Sequence, residues 1–368
     1  MSRHDANTSP AAHAETKSAM KRTVGRRSFL ALATGTVLSL AACSPQVKTT
    51  ASAEPTGKLP SGDPPPGTKL TVAVRQTRLQ LEPAGLKKDL AFTVSEWPNL
   101  SAGPDIIQGF RAESIDLASN AGIPPIQAKA IGVDTKIVAV QVRPRPIYTF
   151  ATAPGSDIAS AEDFRGKKIG FSQGQAQGVV VLRALKAAGL KNSDVQLVAL
   201  PSTQFLTALQ SKQVDVAPLG EPALTKYLDQ YAKDGAAAIK TEVVDLLTIL
   251  WAPVEVLNDP AKAAAVRNFI PLWAKGLVWA WEHTDEWIDT YYVKDQGVSV
   301  ADGKRIVSSL NKPQFPVSWD KAIEWEQETA DLMAEGGFVP KQDVADLFDR
   351  RFEGLAAQSV PAEYRETS

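Results

Sequence analysis

The sequence predicts an α/β protein of two lobes, each a mainly parallel sheet flanked by helices. Three observations carry that expectation. From Lys69 onward, short apolar runs alternate with segments of helical spacing, as parallel strands and their covering helices do. The alternation occurs twice, and its halves echo each other: Ser114-Ile115-Asp116-Leu117-Ala118-Ser119-Asn120-Ala121-Gly122 in the first, Gln213-Val214-Asp215-Val216-Ala217-Pro218-Leu219-Gly220-Glu221 in the second. Each echo follows a helix, ends in a small-residue turn and opens the next helix near a proline. The length, 368 residues, suits about two domains.

Leu70 to Val74 reads as a compact strand, and Phe92 to Trp97 as a second. A helix over Asp105 to Arg111 leads to the strand Ile115 to Ala118. The next helix begins near Pro124-Pro125 and precedes the apolar run Ile137 to Val142. The middle segment repeats the scheme. Lys168 to Phe171 is a strand, Val179 to Ala188 a helix stopped by Gly189, and Val195 to Leu200 a strand. Ser202 suits the N-cap of a helix to about Gln210, Val214 to Ala217 is a strand, and Pro222 opens the following helix.

The C-terminal third is helical. Asp259-Pro260 is a cap followed by a first-turn proline, after which Val266, Phe269, Ile270, Trp273, Leu277 and Trp281 fall at spacings of 3 and 4. At that spacing the aromatic stripe reads as core, and Pro271 is expected to kink it. Helices near Val300 to Leu310 and Ser318 to Ala334 follow, the last stopped by Gly336-Gly337.

The N-terminus has its own pattern. Lys21 to Arg27 is strongly basic, Phe29 to Ala42 is apolar, and Leu40-Ala41-Ala42-Cys43 closes the run. A charged start, a short apolar stretch and a small-residue cleavage site describe a signal peptide, since a spanning helix needs about 20 apolar residues. Arg26-Arg27-Ser28-Phe29-Leu30 resembles a twin-arginine export motif. Leu-Ala-Ala-Cys resembles a lipobox, in which Cys43 receives a lipid and becomes the mature N-terminus. Residues 1–43 are therefore expected to leave as a lipoprotein signal, and Ser44 to Thr68, rich in Ser, Thr, Ala, Pro and Gly, to serve as a flexible tether. The expected location is the extracytoplasmic face of the cell membrane, through the anchor on Cys43.

Composition narrows the function. The chain is 44% hydrophobic and 22% charged, with a formal net charge of −1. Residues 1–43 hold six basic and two acidic residues, which leaves about −5 on the remainder. No basic excess suggests nucleic acid. Cys43 is the only cysteine, and after removal of His4 and His13 only His283 remains. A Cys/His metal cluster, a thiol nucleophile and an internal disulfide are thereby excluded. No cofactor signature is present, and a monomer is expected.

In open α/β sheets, ligands sit beyond the carboxyl ends of the strands, so the two echoed turns should face a shared cleft. An anionic head group can be held there by the unpaired N–H groups of helix starts. Ser172, Gln173, Gly174, Gln175 and Ala176 precede one helix, and their glycine lets backbone approach a ligand. Asn120, Ala121 and Gly122 precede another. Gln76 and Arg78 are expected at the end of the first strand, with Arg78 able to grip a sulfonate or carboxylate. Gly220 and Glu221 close the second echo, where Glu221 could take an amino group or cap its own helix. Arg143 and Arg145, alternating with prolines, read as surface near the hinge.

Ala161 to Gly170, Val214-Asp215-Val216 and Glu221-Pro222 together resemble the substrate-binding proteins of importers for aliphatic sulfonates, taurine and nitrate, most of all the sulfonate branch. Val74-Arg75-Gln76, Asn120 to Pro125 and Gly336 to Pro340 fit the same pattern, and the likeness covers residues 69 to 352. It departs from the family where Gln76 to Ala91 is short, and where Pro218-Leu219-Gly220 replaces a frequent tryptophan. The resemblance implies a type II periplasmic binding protein-like fold with two crossing hinge strands, near Tyr148-Thr149-Phe150 and Thr248-Ile249-Leu250. Lobe I would hold residues 69–150 and 250–368, and lobe II residues 151–249. It also implies capture of a small anionic or polar solute and delivery to an ABC permease with its ATPase. Nitrate, a pyrimidine or thiamine precursor, or a sensor docking on a membrane receptor are the alternatives. The enzymes of this fold rely on a cysteine or several histidines that the mature chain lacks.

Overall fold

The computed structural model describes residues 55–366; the expected signal peptide and Cys43 lie outside the described residues. Strands β1 (Lys69–Ala73), β2 (Thr93–Glu96), β3 (Leu117–Ala121), β4 (Thr135–Val142), β5 (Tyr148–Thr152), β6 (Lys168–Phe171), β7 (Gln196–Ala199), β8 (Val216–Gly220), β9 (Ala238–Ile239) and β10 (Leu247–Pro253) build two five-stranded sheets. Their orders are β2-β1-β3-β10-β4 and β7-β6-β8-β5-β9. In the first, β1 is parallel to β2 and β3, and β10 runs antiparallel between β3 and β4. In the second, β6 is parallel to β7 and β8, and β5 runs antiparallel between β8 and β9. The two sheets thus share one plan, as the sequence echo implied. Every residue of β4 is buried, Thr135, Lys136 and Gln141 among them, which accounts for the apolar run Ile137 to Val140.

The covering helices are α1 (Arg75–Leu81), α2 (Gly103–Arg111), α3 (Ile123–Ala130), α4 (Ala176–Ala187), α5 (Phe205–Gln210), α6 (Ala223–Tyr231), α7 (Val254–Asn258), α8 (Pro260–Glu282), α9 (Thr284–Trp287), α10 (Val300–Ser309) and α11 (Asp320–Glu335). Asp259 caps α8 by accepting from the N–H groups of Ala261 and Lys262 at 2.8 and 3.0 Å. The stripe Val266, Phe269, Ile270 and Trp273 is buried in the main core with Trp251 of β10. Pro271 is accommodated inside this single helix. Two smaller cores lie in the second half, one around Phe150, Phe164 and Val180, the other around Phe205 and Tyr227.

Three expectations are corrected. Tyr148 to Phe150 lies within the second sheet and Thr248 to Leu250 within the first, so the crossings are residues 143–147 and 240–246. A chain arriving from the other sheet enters against the parallel strands and becomes their antiparallel neighbour. The first strand ends at Ala73, and Gln76 and Arg78 both sit in α1 instead of closing the strand. The tether is partly bound. Thr56 N–H donates to Asn258 Oδ1 at 2.8 Å, Arg267 donates to the carbonyls of Ser61 and Gly62, and Leu59 packs against the main core.

Candidate functional site between the two sheets

The carboxyl ends of the parallel strands converge on a cavity of about 690 Å³. Its wall takes Arg75 and Gln76 from the start of α1, Ser101 to Gly103 from the start of α2, and Asn120 and Ala121 from the end of β3. Gln175 to Gln177 at the start of α4, with Ser202 and Thr203, come from the second sheet's side. Arg143, Tyr148 and Thr248 contribute from the crossings and their flanks, and Tyr291, Asp295 and Gln296 complete the wall.

Two helix starts aim donors at this space. Neither α2 nor α4 has its first turn capped by the side chain of its N-cap residue, Ala102 and Gln175 respectively. In α4 the N–H groups of Ala176 and Gln177 have no acceptor within the helix, while that of Gly178 turns back to Gln175 O at 3.0 Å. In α2 only the N–H of Gly103 is left, because Pro104 has none and that of Asp105 donates to Ala102 O at 3.1 Å. The helix dipole adds partial positive charge at both starts. The start of α3 is poorer in donors. Pro124 and Pro125 occupy its first turn and supply no N–H. Behind it, Gly122 packs so closely on the buried carboxyl of Glu326 that a Cβ there would lie 2.7 Å from Glu326 Cδ. The Asn120-Ala121-Gly122 turn therefore contributes wall more than donors.

Hydrogen bonds hold the wall. Asn120 donates from Nδ2 to Ser101 O and accepts from Trp251 Nε1, both at 2.8 Å, tying α2 to the first sheet. Gln175 Oε1 accepts from the N–H of Ser202 at 3.0 Å and from the Ser172 hydroxyl, which joins two loops of the second sheet.

Arg143 is the finding the sequence reading missed. Its Nη2 donates to Asp245 Oδ2 at 2.7 Å and to Leu247 O at 2.9 Å, so it joins one crossing to the other. Its Nε is buried without a hydrogen-bond partner, on a side chain that lines the cavity. Burial pushes the Asp245 carboxyl up, against the opposing pull of the Arg143 and Arg183 guanidinium groups. Burial likewise pushes the hydroxyls of Tyr148 and Tyr291 up, so both are neutral hydrogen-bonding groups at neutral pH. The second cation at the wall, Arg75, is paired with Asp295. The alternating Arg-Pro spacing of 143–146 is the sequence signal that could have pointed to Arg143. Nothing local marks Tyr291 or Asp295.

Of the residues singled out from sequence, Gln76, Asn120, Ala121, Gln175 and Ala176 line the cavity. Arg78 is exposed on α1 outside it. Ser172 is buried behind Gln175, Gln173 donates from Nε2 to Phe338 O at 3.2 Å, and Gly174 packs against Gly103 and Gln127. Gly220 ends β8 beside Tyr148. Glu221 accepts from the N–H and hydroxyl of Thr225 at 3.1 and 2.6 Å and pairs with Arg305 at 3.2 Å. Among the described residues, no three His, Cys, Asp or Glu side chains gather as a metal site, and no helix is long and apolar enough to cross a membrane.

Two sheets of one plan, linked by two crossings with a polar cavity between them, define the periplasmic binding protein-like fold. The chain belongs to the family described as NMT1/THI5 like, which matches residues 101–286. Over 126 residues it is 34% identical to an aliphatic sulfonates-binding protein of Escherichia coli K12, covering 34% of this chain and 40% of that protein. Over 259 residues it is 25% identical to a Bacillus subtilis protein of the same name, covering 70% and 76%. Among solved structures it is similar to the periplasmic aliphatic sulphonate binding protein SsuA of Escherichia coli (TM-score 0.65, 22% identity, 77% of this chain and 98% of that one). It is also similar to the alkanesulfonate-binding SsuA of Xanthomonas axonopodis pv. citri bound to MOPS (TM-score 0.66, 21% identity, 83% and 100%). The desulfurization enzyme DSZB is a more distant likeness (TM-score 0.51, 15% identity, 80% and 98%). The likenesses to solved structures establish the fold.

Proposed function

We propose that this chain is the solute-binding component of an ABC importer and captures a sulfonate-like anion in the cleft. The observation that carries the reading is the cavity wall, which the uncapped starts of α2 and α4 and Arg143 all line. Backbone N–H groups and one partly free arginine suit an oxyanion head group that keeps its charge at any physiological pH. Gln76, Tyr148, Tyr291, Ser202 and Thr203 would bond or flank the remainder of the solute. The names of the relatives support this class of ligand.

The same reading includes export and anchoring. Residues 1–43 would be removed as a twin-arginine lipoprotein signal, with Cys43 lipidated and the permease and its ATPase as partners. With the crossings at 143–147 and 240–246, lobe I would comprise residues 69–142 and 247–366 and lobe II residues 148–239, and closure about the crossings would present a loaded form to the permease.

A thermal-shift screen with MOPS, alkanesulfonates, taurine, nitrate and pyrimidines tests the ligand class. A ligand at 100 times its Kd adds about 2.7 kcal/mol of stability. Stabilisation by sulfonates alone supports the reading, and stabilisation by pyrimidines alone overturns it.

A further inference from the structure

The cavity is bracketed by two contacts between the halves of the molecule that involve no cavity-lining charge. On one side, the Arg305 guanidinium on α10 meets Glu221 Oε1 at 3.2 Å and the Thr225 hydroxyl at the start of α6. Beside it, Lys226 of α6 donates to the backbone carbonyl of Gln296. The α10 helix packs on residues 288–295, which carry the cavity residues Tyr291 and Asp295. In the second contact, the turn before α4 meets Gly103 at the start of α2 and Gln127 of α3. A Cβ on Gly103 would lie 2.8 Å from Gly174 O, and one on Gly174 would run into the Gln127 side chain. Gln173 of the same turn and Phe171 at the end of β6 reach Phe338, through a hydrogen bond and a ring pair 4.6 Å apart.

We propose that these two contacts form a latch that holds the cleft closed, and that Glu221 acts through Arg305 on the lifetime of the closed form instead of touching the solute. This rests on the reading of the cavity as a solute site. Three observations carry it. Glu221 already spends its oxygens on Thr225 and Arg305, and it is absent from the cavity wall. Arg305 also lies within 3.8 Å of Asp302 on its own helix, so opening returns it to a local partner and leaves no charge stranded. The glycine contact permits the approach of two backbones that any side chain would hold apart. A solute that enters the open cleft and is then enclosed can leave only when the cleft reopens, so its dissociation slows as the closed fraction of the loaded form rises. The latch residues are therefore positioning residues for affinity, and the exposed Arg305 side of the ion pair makes their effect sensitive to salt.

The test uses the full chain with Cys43→Ser, and spin labels on cysteines placed at Lys88 and Lys191, one in each half. Arg305→Glu sets two carboxylates against each other across the rim. It is expected to shift the inter-label distance of the unliganded protein to longer values, as Glu221→Arg should. Arg305→Lys should retain most of the short distance, and Lys304→Glu, on the same helix, should match the wild type. With MOPS as probe, Arg305→Glu is expected to raise Kd at least tenfold through dissociation, with association little changed. An unchanged distance distribution in Arg305→Glu overturns the latch whether or not MOPS binds. Failure of the wild type to bind any sulfonate overturns the ligand reading and leaves the distance result to decide the latch.

Discussion

Asp116 and Asp215 make the same hydrogen bond, one in each sheet. Asp116 Oδ2 accepts from the N–H of Thr71 at 2.7 Å, and Asp215 Oδ2 from the N–H of Lys168 at 2.7 Å. Their own N–H groups return the bond, to Thr71 O at 2.9 Å and Lys168 O at 2.8 Å. The repeated apolar-Asp-apolar-Ala pattern is thus a clamp that sets the register of β3 on β1 and of β8 on β6. Asp215→Ala should cost roughly 1 kcal/mol of stability. Asp116→Ala should cost more, because Asp116 also holds Lys262 at 2.8 Å. Urea midpoints at constant slope measure both, and a reversed order would contradict this account.

Arg143→Ala should weaken sulfonate binding at least tenfold, about 1.4 kcal/mol. Arg143→Lys should fall between, since a point charge cannot serve Asp245, Leu247 and a ligand together. Calorimetry with MOPS reads the difference. Equal affinity in all three proteins would place the head group on the helix starts alone.

Gly174 has a φ of +82° and faces Gln127. A branched side chain is strained there and pushes against the other half of the molecule. Gly174→Val is expected to weaken binding at least tenfold, while the exposed Lys191→Ala leaves it unchanged. Wild-type affinity in Gly174→Val would mean that the turn is scaffolding.

Glu326 is 1% exposed, and burial, aided by the Asp245 charge, pushes its carboxyl up to about 8 against the pull of Arg183. Because the folded form holds the proton more tightly than the unfolded chain does, stability from this group is full below about pH 4.3. It is lost as pH rises from there through about 8, by up to roughly 5 kcal/mol. Glu326→Gln stays neutral, so its Tm should fall less than that of the wild type between pH 5 and pH 9. Parallel Tm curves would show that Glu326 is not held protonated.

Cys43→Ala should release the protein from the membrane fraction or leave unprocessed precursor. Unchanged retention with normal processing would rule out a lipid anchor on Cys43.

The strands and most helices were legible in the sequence because their causes are local. The apolar period of Val266 to Trp273 acts over single helical turns, and the Asp259-Pro260 cap over three residues. The Asp116 and Asp215 echo was visible for the same reason, as a short pattern written twice. Part of the cavity wall followed, with Asn120, Ala121, Gln175 and Ala176 on it, since helix starts after strands are where donors collect. Arg78 was misplaced because an extended chain carried on past Ala73, in place of the start of α1, puts it at the cleft.

The sequence by itself determined the α/β class, the repeated plan and the segments whose ends meet at the cleft, through propensity, periodicity and capping within a few residues. Only the tertiary structure decided the site's charge and its closure. Arg143 meets Asp245 across 102 positions, Arg305 meets Glu221 across 84, and Gln173 reaches Phe338 across 165. No local rule couples residues so far apart. Their meeting depends on how two sheets, each folded by its own short-range logic, pack against each other across the crossings.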